Sequence, residues 1–418
     1  MSAWTRYLPA ALIFAVVALL PFSRLSALPM ALMMVGGIML TVRHGRRLWE
    51  EPALGLFTVL FLAYFLPVLV SCLDAVAPER SWPSAVAYLR FLPVGIFVIH
   101  HLGDPDQRRA LWLMTAVLVM VWCVDALIQF ALGRNVLGMP LAEDRLNGIF
   151  GETNIKLGHV LAVLSPVPLE YCRRFGPRWA FPVCLGALLA VIALVSTRAA
   201  WVMFALVLLA YVYVYAQGRP RRWIKAALIV ATVAGGSLFV GYQMSPTLAE
   251  RLDRSLLLLE GDRESVDRAL GGRLPIWRTA GRMAADHPIN GVGARGFRYA
   301  YPEYADAADH WVNPDKGTGA AHAHQLLLEV LTETGVIGLV GLLFALVLSF
   351  RFWQHLTPAR KHTAYPFALA LGVMLFPVNT HLAFYSTFWS LLCWWLVMVF
   401  LGFARSPSPS AASGAASE

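Results

Sequence analysis

Long apolar segments separated by short polar ones run along most of the chain. Each apolar segment contains about 17–25 residues, which is enough for an α-helix to cross a hydrocarbon core about 30 Å thick. We therefore predict an all-α, polytopic membrane protein with about twelve transmembrane helices. The predicted spans are 7–22, 26–42, 53–72, 83–100, 109–132, 156–171, 179–196, 199–216, 223–243, 324–350, 364–381 and 384–403.

Basic residues are divided unequally between the two sets of loops that alternate along these spans. With the N-terminus placed in the cytoplasm, the cytoplasmic segments contain seventeen lysines and arginines, and the short loops on the opposite side contain six. Short cytoplasmic loops of membrane proteins are enriched in these two residues. The asymmetry therefore predicts that both termini are cytoplasmic.

One hydrophilic segment is much longer than the other loops and, in this topology, lies on the outer side. The predicted divisions are spans one to nine in 1–243, the outer loop with short helices in 244–323, spans ten to twelve in 324–403 and a disordered cytoplasmic tail in 404–418. Within the loop, apolar residues at helical spacing predict a helix over Pro275–Ala285 that ends at His287-Pro288. Because loops of this length are usually functional, we expect the chemistry to lie here.

The composition agrees with a chain that is surrounded largely by lipid. Hydrophobic residues make up 58% of the sequence, charged residues make up 14%, and the mean hydropathy is +0.61. Soluble domains carry about 25% charged residues, so a soluble globular protein is excluded. The net charge of +9 comes from short clusters between apolar segments, which argues against nucleic-acid binding. None of the five cysteines has metal-ligand spacing, so neither a disulfide framework nor a cysteine metal site is expected.

Two histidines, His322 and His324, lie where the outer loop returns to the membrane. A neutral imidazole at such a boundary can accept a proton from a hydroxyl group. Glu329 and Glu333 follow on the next helix, on a roughly similar side. The alternative for the histidines is packing at the membrane interface. Their His-x-His spacing also fits a metal site, but no cysteine or carboxylate cluster stands beside it, so no metal is predicted.

Arginines are the second group of candidates. Arg198 stands alone between two long apolar spans on the outer side, where its planar guanidinium suits a phosphate and where contact with lipid headgroups is the alternative. Arg273 stands at the entrance of the predicted loop helix, whose backbone N–H groups also favour anions. Arg278 and Arg282 lie four residues apart on that helix and are interpreted as a solvated face.

Weaker candidates lie in two other outer segments. Arg145 and Asn154 flank the outer start of the sixth span. His381 and Tyr385 offer polar and aromatic groups at the outer surface of the last hairpin. We include all four as possible substrate contacts.

Several of these motifs, taken together, resemble the O-antigen ligase/polymerase family. They are Arg145-Leu-Asn-Gly, Arg198 after a Ser-Thr pair, Arg273-Leu-Pro-Ile-Trp, Asp286-His-Pro-Ile-Asn-Gly-Val-Gly with Phe297, and His324-Gln-Leu-Leu-Leu-Glu. The resemblance covers most of residues 140–345. Gln325 departs from it, since asparagine is usual after this histidine, and Thr153 stands where proline is common.

The resemblance implies a membrane-embedded, GT-C-like glycosyltransferase in the bacterial inner membrane, with its active site and large loop in the periplasm. The donor would be an undecaprenyl-diphosphate-linked glycan, and the acceptor would be a sugar hydroxyl of lipid A–core. No cofactor or metal would be required. His324 would be the general base of an inverting transfer, with His322 the poorer candidate, and Arg198 and Arg273 would bind the diphosphate. The two ends of the loop would serve only if folding brought Arg273 and His324 against Arg198.

Other functions remain open at this point. The same residues suit an O-antigen or capsule polymerase, whose acceptor is another lipid-linked repeat unit, or a protein O-oligosaccharyltransferase. Without the resemblance, a membrane pocket with cations and a base suits any anionic amphiphile, including one that is transported. A transporter for lipid-linked sugars predicts charged or broken helices at the bilayer midplane, and Arg90 and Asp125 are the clear pair of that kind.

Overall fold

The computed structural model describes residues 6–22, 24–141, 146–151, 156–216, 246–377 and 382–406, with scattered positions between 219 and 243. Within these residues the fold is α-helical and contains no β-strand. The helices are α1 (Leu8–Ala18), α2 (Ala27–His44), α3 (Pro52–Ser71), α4 (Pro78–Tyr88), α5 (Phe91–His101), α6 (Pro105–Leu132), α7 (Leu157–Leu164), α8 (Pro166–Phe175), α9 (Ala180–Leu194), α10 (Arg198–Ala216), α11 (Pro246–Leu256), α12 (Arg263–Leu270), α13 (Leu274–Asp286), α14 (Phe297–Tyr304), α15 (Leu326–His355), α16 (Pro358–Met374) and α17 (Thr387–Ala404). Short 3₁₀ turns occur at Leu20–Phe22, Gly45–Glu50, Gly148–Phe150, Leu257–Leu259 and Pro314–Lys316.

Helices lie at the predicted spans, apart from the ninth (223–243), which falls largely outside the described residues. In the described part of the chain, six helical segments are long and apolar enough to cross a membrane. They are Ala27–Glu50, Pro52–Ser71, Pro78–His101, Pro105–Leu132, Leu326–His355 and Thr387–Ala404. The prediction of a helical membrane protein is therefore confirmed, while the number of twelve crossings remains a prediction.

Several helices begin earlier than the apolar pattern indicated, and proline is the reason. The fifth and eleventh predicted spans start at residues 109 and 364, whereas α6 begins at Pro105 and α16 at Pro358. Proline is favoured in the first helical turn because its missing N–H has no intrahelical partner there and its φ is already helical. The first turns that follow these prolines are polar, so spans predicted from apolar residues do not include them.

The described residues form two compact units. Unit 1 comprises Met1–Leu111, Gly272–Tyr365 and Pro377–Glu418. Helix α17 is buried along its whole length in this unit and packs on α3 and α5, while α2 packs on α5 and α15 packs on α3. Exposed apolar side chains such as Val340, Val347 and Phe350 line α15. Such a surface is costly in water and suits lipid.

Unit 2 comprises Trp112–Gly271 and Pro366–Phe376. Helix α7 is the buried element here, and both α9 and α10 pack against it. Gly158 on α7 allows this close approach, because a side chain there would press on Val195 and Ala200. The short helices α11 and α12 pack on each other at the end of this unit.

A break in α15 of unit 1 determines how the long hydrophilic loop (244–323) is attached. Gly335 has φ +64°, which interrupts the helix, and a side chain there would collide with the backbone of Ile289. The N–H groups of Val336 and Ile337 donate instead to the carbonyls of Pro288 and Ile289, at 2.8 and 3.2 Å. Carbonyl groups of the loop therefore accept the hydrogen bonds that these two N–H groups would otherwise donate within the helix.

Candidate functional site

A small apolar core in unit 1 holds the histidine segment against the helices of the long hydrophilic loop. Its buried members are Ile276, Ala280, Met283, Val292, Phe297, Ala300, Tyr301, Ala320 and Ala323. Helix α13 supplies the first three at helical spacing and ends at His287, as the predicted Pro275–Ala285 helix required. The indole N–H of Trp277 donates to the Ala323 carbonyl at 3.1 Å, which fixes the backbone between the two histidines.

His322 and His324 lie side by side, with ring centroids 3.9 Å apart and ring planes 38° from parallel. Trp311 contacts the His324 ring at a centroid distance of 6.4 Å and donates its indole N–H to Gly272 at 2.7 Å. His324 has φ +53°, a left-handed backbone that is unfavourable for a residue with a Cβ. Such strain persists only where the surrounding structure imposes it, and strained residues of this kind cluster at active sites and ligand-binding positions.

Positive charge surrounds His322. Burial lowers the pKa of its imidazole well below the ordinary 6.5, and nearby positive charges lower that pKa further. The charges belong to Arg273, Arg298 and Arg295, and a proton on the neighbouring His324 would act in the same direction. The buried Nε2 of His322 has no hydrogen-bond partner among the described residues. The arrangement is therefore a neutral imidazole that faces a group of cations.

Arg273 immediately precedes α13, and its carbonyl accepts the Trp277 N–H at 3.0 Å. Its half-buried side chain contributes to the positive field at His322. Two residues that the sequence motifs did not single out, Arg295 and Arg298, contribute to the same field. Both follow the turn Gly291–Gly293, and that Gly-rich turn was the signal available in the sequence.

Arg278 and Arg282 have a different environment, and their interpretation as a solvated face is consistent with it. Both are exposed on α13 and form ion pairs with Asp306, at 3.1 and 2.7 Å. Arg282 also donates to the Tyr304 carbonyl at 2.8 Å. The hydrogen bond from Arg282 is the main cause that lowers the pKa of Asp306. These two arginines are neutralised within the loop.

Two buried carboxylates lie beneath the histidines, on the first turns of α15. Glu333 accepts the backbone N–H of Arg295 at 2.5 Å, and Glu329 accepts the N–H of Tyr385 at 3.4 Å. Thr334 and Tyr385 share a hydrogen bond between their hydroxyl groups at 2.8 Å. Glu329, predicted as a site residue, thus holds neighbouring backbone through one of its carboxylate oxygens.

Tyr385 does not lie at the outer surface as the sequence analysis proposed. It is 2% exposed, and its carbonyl accepts the hydroxyl of Tyr88. Its ring packs on Tyr64 at a centroid distance of 5.7 Å. The sequence could not show this, because a tyrosine near the end of a span is equally typical of the interface and of the space between helices.

Arg198 belongs to unit 2, where it begins α10 two residues after Ser196, whose φ is +58°. Its guanidinium donates to the carbonyl of Ala269, near the end of α12, and lies beside Gly271. A cation at this position satisfies a terminal carbonyl and interacts favourably with the helix dipole. One part of Arg198 is therefore used to anchor the end of α12.

Three predicted residues, Arg145, Asn154 and His381, lie outside the described residues. Within the described part of the chain, no group of three or more histidine, cysteine, aspartate or glutamate residues could hold a metal ion. The cations that the histidines face are described arginines. They suit anionic oxygens, because a guanidinium donates paired hydrogen bonds to such oxygens.

Strained backbone positions are an observation that does not depend on the sequence motifs. Among the described residues, three non-glycine positions have a positive φ. They are Ser196, Arg295 and His324. His324 is a predicted site residue, Ser196 precedes Arg198 by two positions, and Arg295 was not singled out from the sequence.

The segment that contains these residues matches a known protein family. Residues 183–343 match a family model described as O-antigen ligase. A search of curated proteins found no match to this chain. The matched range includes both histidines, Arg198, Arg273 and Arg295.

Proposed function

We propose that this chain, a member of the O-antigen ligase family, transfers a glycan from a lipid-linked donor to a lipid-linked acceptor. The family supports a membrane glycosyltransferase of the ligase or polymerase type. In the finer proposal, the donor is undecaprenyl-diphosphate-linked O-antigen and the acceptor is a sugar hydroxyl of lipid A–core. The protein would act in the bacterial inner membrane, surrounded by membrane lipids, with its site open to the periplasm.

One observation carries the proposal: a histidine pair beside several arginines, in the segment that matches the family. Glycosyl transfer from a lipid diphosphate needs a base for the acceptor hydroxyl and positive charge for the leaving group. This arrangement supplies both kinds of group within unit 1.

In the proposed reaction, His324 accepts the proton of the acceptor hydroxyl while that oxygen attacks the anomeric carbon of the donor sugar. The bond from the anomeric carbon to the diphosphate oxygen breaks, and the lipid diphosphate leaves with the electron pair. A new glycosidic bond forms from the opposite face, which inverts the anomeric configuration. The left-handed backbone of His324 and its contact with Trp311 support this role, because both restrict the ring.

Arg273 and Arg198 are the proposed ligands of the diphosphate. Fixed cations can stabilise negative charge as it develops on the leaving group, which is the task that Mg²⁺ performs in many other transferases. The position of Arg273 beside His322 supports its assignment. The assignment of Arg198 rests on the sequence pattern, and a variant of Arg198 tests it separately.

The decisive experiment is reconstitution with defined lipids. Purified protein is incubated with the undecaprenyl-diphosphate-linked glycan, with or without lipid A–core, and the products are separated by size and by lipid. We expect glycan attached to lipid A–core, and free lipid diphosphate in equal amount. Elongated lipid-linked glycan without lipid A–core would identify a polymerase instead, and unchanged donor moved across a vesicle membrane would identify a transporter.

A second arm tests the arginine mechanism. We expect full transfer after treatment with EDTA, because no step of the proposed reaction uses a metal. Loss of transfer in EDTA that returns on addition of Mg²⁺ would contradict the role of the arginines as the charge that stabilises the leaving group.

A further inference from the structure

Arg295 combines three features that the proposed reaction does not yet use. Its backbone is left-handed, with φ +67°. Its side chain is exposed, and among the described residues its guanidinium forms no ion pair. Its positive charge is nevertheless felt by the buried imidazole of His322. A solvent-accessible arginine therefore stands close to the histidine pair without a counter-ion in contact.

The backbone around Arg295 is held by hydrogen bonds from several directions. Its own N–H donates to a carboxylate oxygen of Glu333 at 2.5 Å, and the N–H of Gly293 donates to the Glu333 carbonyl at 3.1 Å. The preceding residue, Ala294, receives the hydroxyl of Ser81 on its carbonyl at 2.8 Å and donates its N–H to the hydroxyl of Ser71 at 3.2 Å. These contacts come from α3, α4 and α15, so three helices fix the loop backbone from Gly293 to Arg295.

The nearest acidic group serves the backbone of Arg295. A Glu333 carboxylate in an ion pair with the guanidinium would neutralise its charge and make it a structural residue. One oxygen of Glu333 instead accepts the main-chain N–H, and no ion pair joins the two side chains in the described residues. The charge of Arg295 is also felt by the buried carboxyl groups of Glu329 and Glu333, but neither forms an ion pair with it among the described residues. The structure thus imposes an unfavourable backbone conformation on a residue whose side chain stays exposed to solvent.

Arg298 extends the same surface. It lies on the first turn of α14, its carbonyl accepts the Gly319 N–H at 2.8 Å, and its exposed side chain also contributes to the field at His322. Like Arg295, it forms no ion pair within the described chain. Both arginines contribute positive charge at the same imidazole, and guanidiniums that reach one phosphate group can bind it together.

We propose that Arg295, assisted by Arg298, binds a phosphate oxyanion of a substrate beside the histidine pair. This inference rests on the proposed function for the nature of its substrates. The phosphate belongs either to the donor diphosphate or to a phosphorylated sugar or lipid A of the acceptor. Arg295 is thus a substrate-binding residue additional to Arg198 and Arg273.

The test compares variants that respect the backbone of Arg295. Asparagine tolerates a left-handed φ and carries no charge, so Arg295→Asn removes the cation without adding strain. Arg295→Lys retains the charge but loses the planar fork. Arg278→Ala is the matched control, because it removes an arginine of the same loop that already has a carboxylate partner. The size and the melting temperature of each purified variant show whether it is folded.

Binding is measured directly, in detergent, for two probes: undecaprenyl diphosphate, and lipid A–core before and after dephosphorylation. We expect Arg295→Asn to weaken one probe about tenfold or more, Arg295→Lys to weaken it less, and Arg278→Ala to leave it unchanged. Loss of undecaprenyl diphosphate binding identifies the donor as the source. Loss confined to phosphorylated lipid A–core identifies the acceptor.

Folded Arg295→Asn that binds both probes as tightly as Arg278→Ala overturns the inference, as does wild-type protein that binds neither probe. These binding arms do not depend on turnover. A wild-type protein that binds a probe through Arg295 but forms no product contradicts the proposed function and leaves the phosphate site in place. The KM values of active enzyme for donor and acceptor then show at which substrate Arg295 acts.

Discussion

The long hydrophilic loop (244–323) contains two groups of arginines that look alike in the sequence but differ in their partners. On α13, Arg278 and Arg282 both form ion pairs with Asp306. On the turn before α14 and on its first residues, Arg295 and Arg298 form no ion pair among the described residues. The first group is neutralised on an exposed face, whereas the second contributes positive charge to a buried imidazole.

This difference separates arginines whose hydrogen-bond donors are occupied by a carboxylate from arginines that form no such ion pair. An exposed ion pair contributes little to stability, but it does occupy the hydrogen-bond donors of the arginine. A guanidinium without a counter-ion keeps those donors, and a neutral histidine beside it can act on the bound substrate. The number of arginines in the loop is therefore less informative than the pairing of each one.

Among the substitutions that test this comparison, we expect the largest loss of transfer at His324. Replacement with alanine or with asparagine removes the proposed base, and we expect transfer to fall by about 10²- to 10⁴-fold or more. Asparagine is the more stringent variant, because it tolerates the left-handed backbone at φ +53°. Glycan transfer to lipid A–core by the purified variant is the measurement. Near-normal transfer would contradict the general-base role. His355→Ala, at the other end of α15, is the control.

Arg273→Ala should be nearly as severe, because it removes a proposed ligand of the diphosphate. Loss of one fixed group that stabilises developing charge costs about 10²- to 10³-fold in turnover. We expect a similar loss for Arg198→Ala. That variant also loses the hydrogen bond to Ala269, so its melting temperature must be measured beside its activity. If a folded Arg198→Ala variant kept full transfer, the assignment of Arg198 as a ligand of the diphosphate would be wrong.

Much of the helical fold could be predicted because lipid imposes a simple pattern on the sequence. Apolar segments located the helices, and the helical spacing of Ile276, Ala280 and Met283 located α13. Helix starts were less accurate, since proline and polar first turns carry no apolar signal. The sequence did not indicate the break at Gly335, because a glycine within an apolar span is common. The φ of this glycine depends on the loop that packs against the helix there.

The candidate site could be predicted only in part, for a similar reason. The histidines and Arg273 stood in recognisable motifs, whereas Arg295 was one basic residue among many in the loop. Its position depends on Glu333, Ser71 and Ser81, and these contacts join segments far apart in the sequence. The burial of Tyr385 likewise follows from contacts with other helices.

Acidification should lower the stability of the folded protein through His322, the imidazole that senses the charges of Arg295 and Arg298. The pKa of His322 is lower in the folded protein than in the unfolded chain, where it is near 6.5. As the pH falls below about 6.5, the unfolded chain binds a proton that the folded protein does not, so stability decreases until the folded pKa is reached. We expect the melting temperature in detergent to fall between pH 7.5 and 5, and to fall less in His322→Gln. Equal falls in both proteins would contradict this assignment.

We expect the smallest effect for the arginines that are paired with Asp306. This result decides whether pairing with a carboxylate distinguishes structural arginines from substrate-binding ones. Arg278→Ala removes an exposed side chain whose partner, Asp306, retains Arg282. We expect transfer within about twofold of the wild type, since exposed ion pairs contribute little. Asp306→Asn should act in the same way, although it leaves both arginines without a counter-ion, because they project from an exposed face of α13. If Arg278→Ala reduced transfer as much as Arg273→Ala, the pairing of an arginine with a carboxylate would not separate structural from substrate-binding residues in this loop.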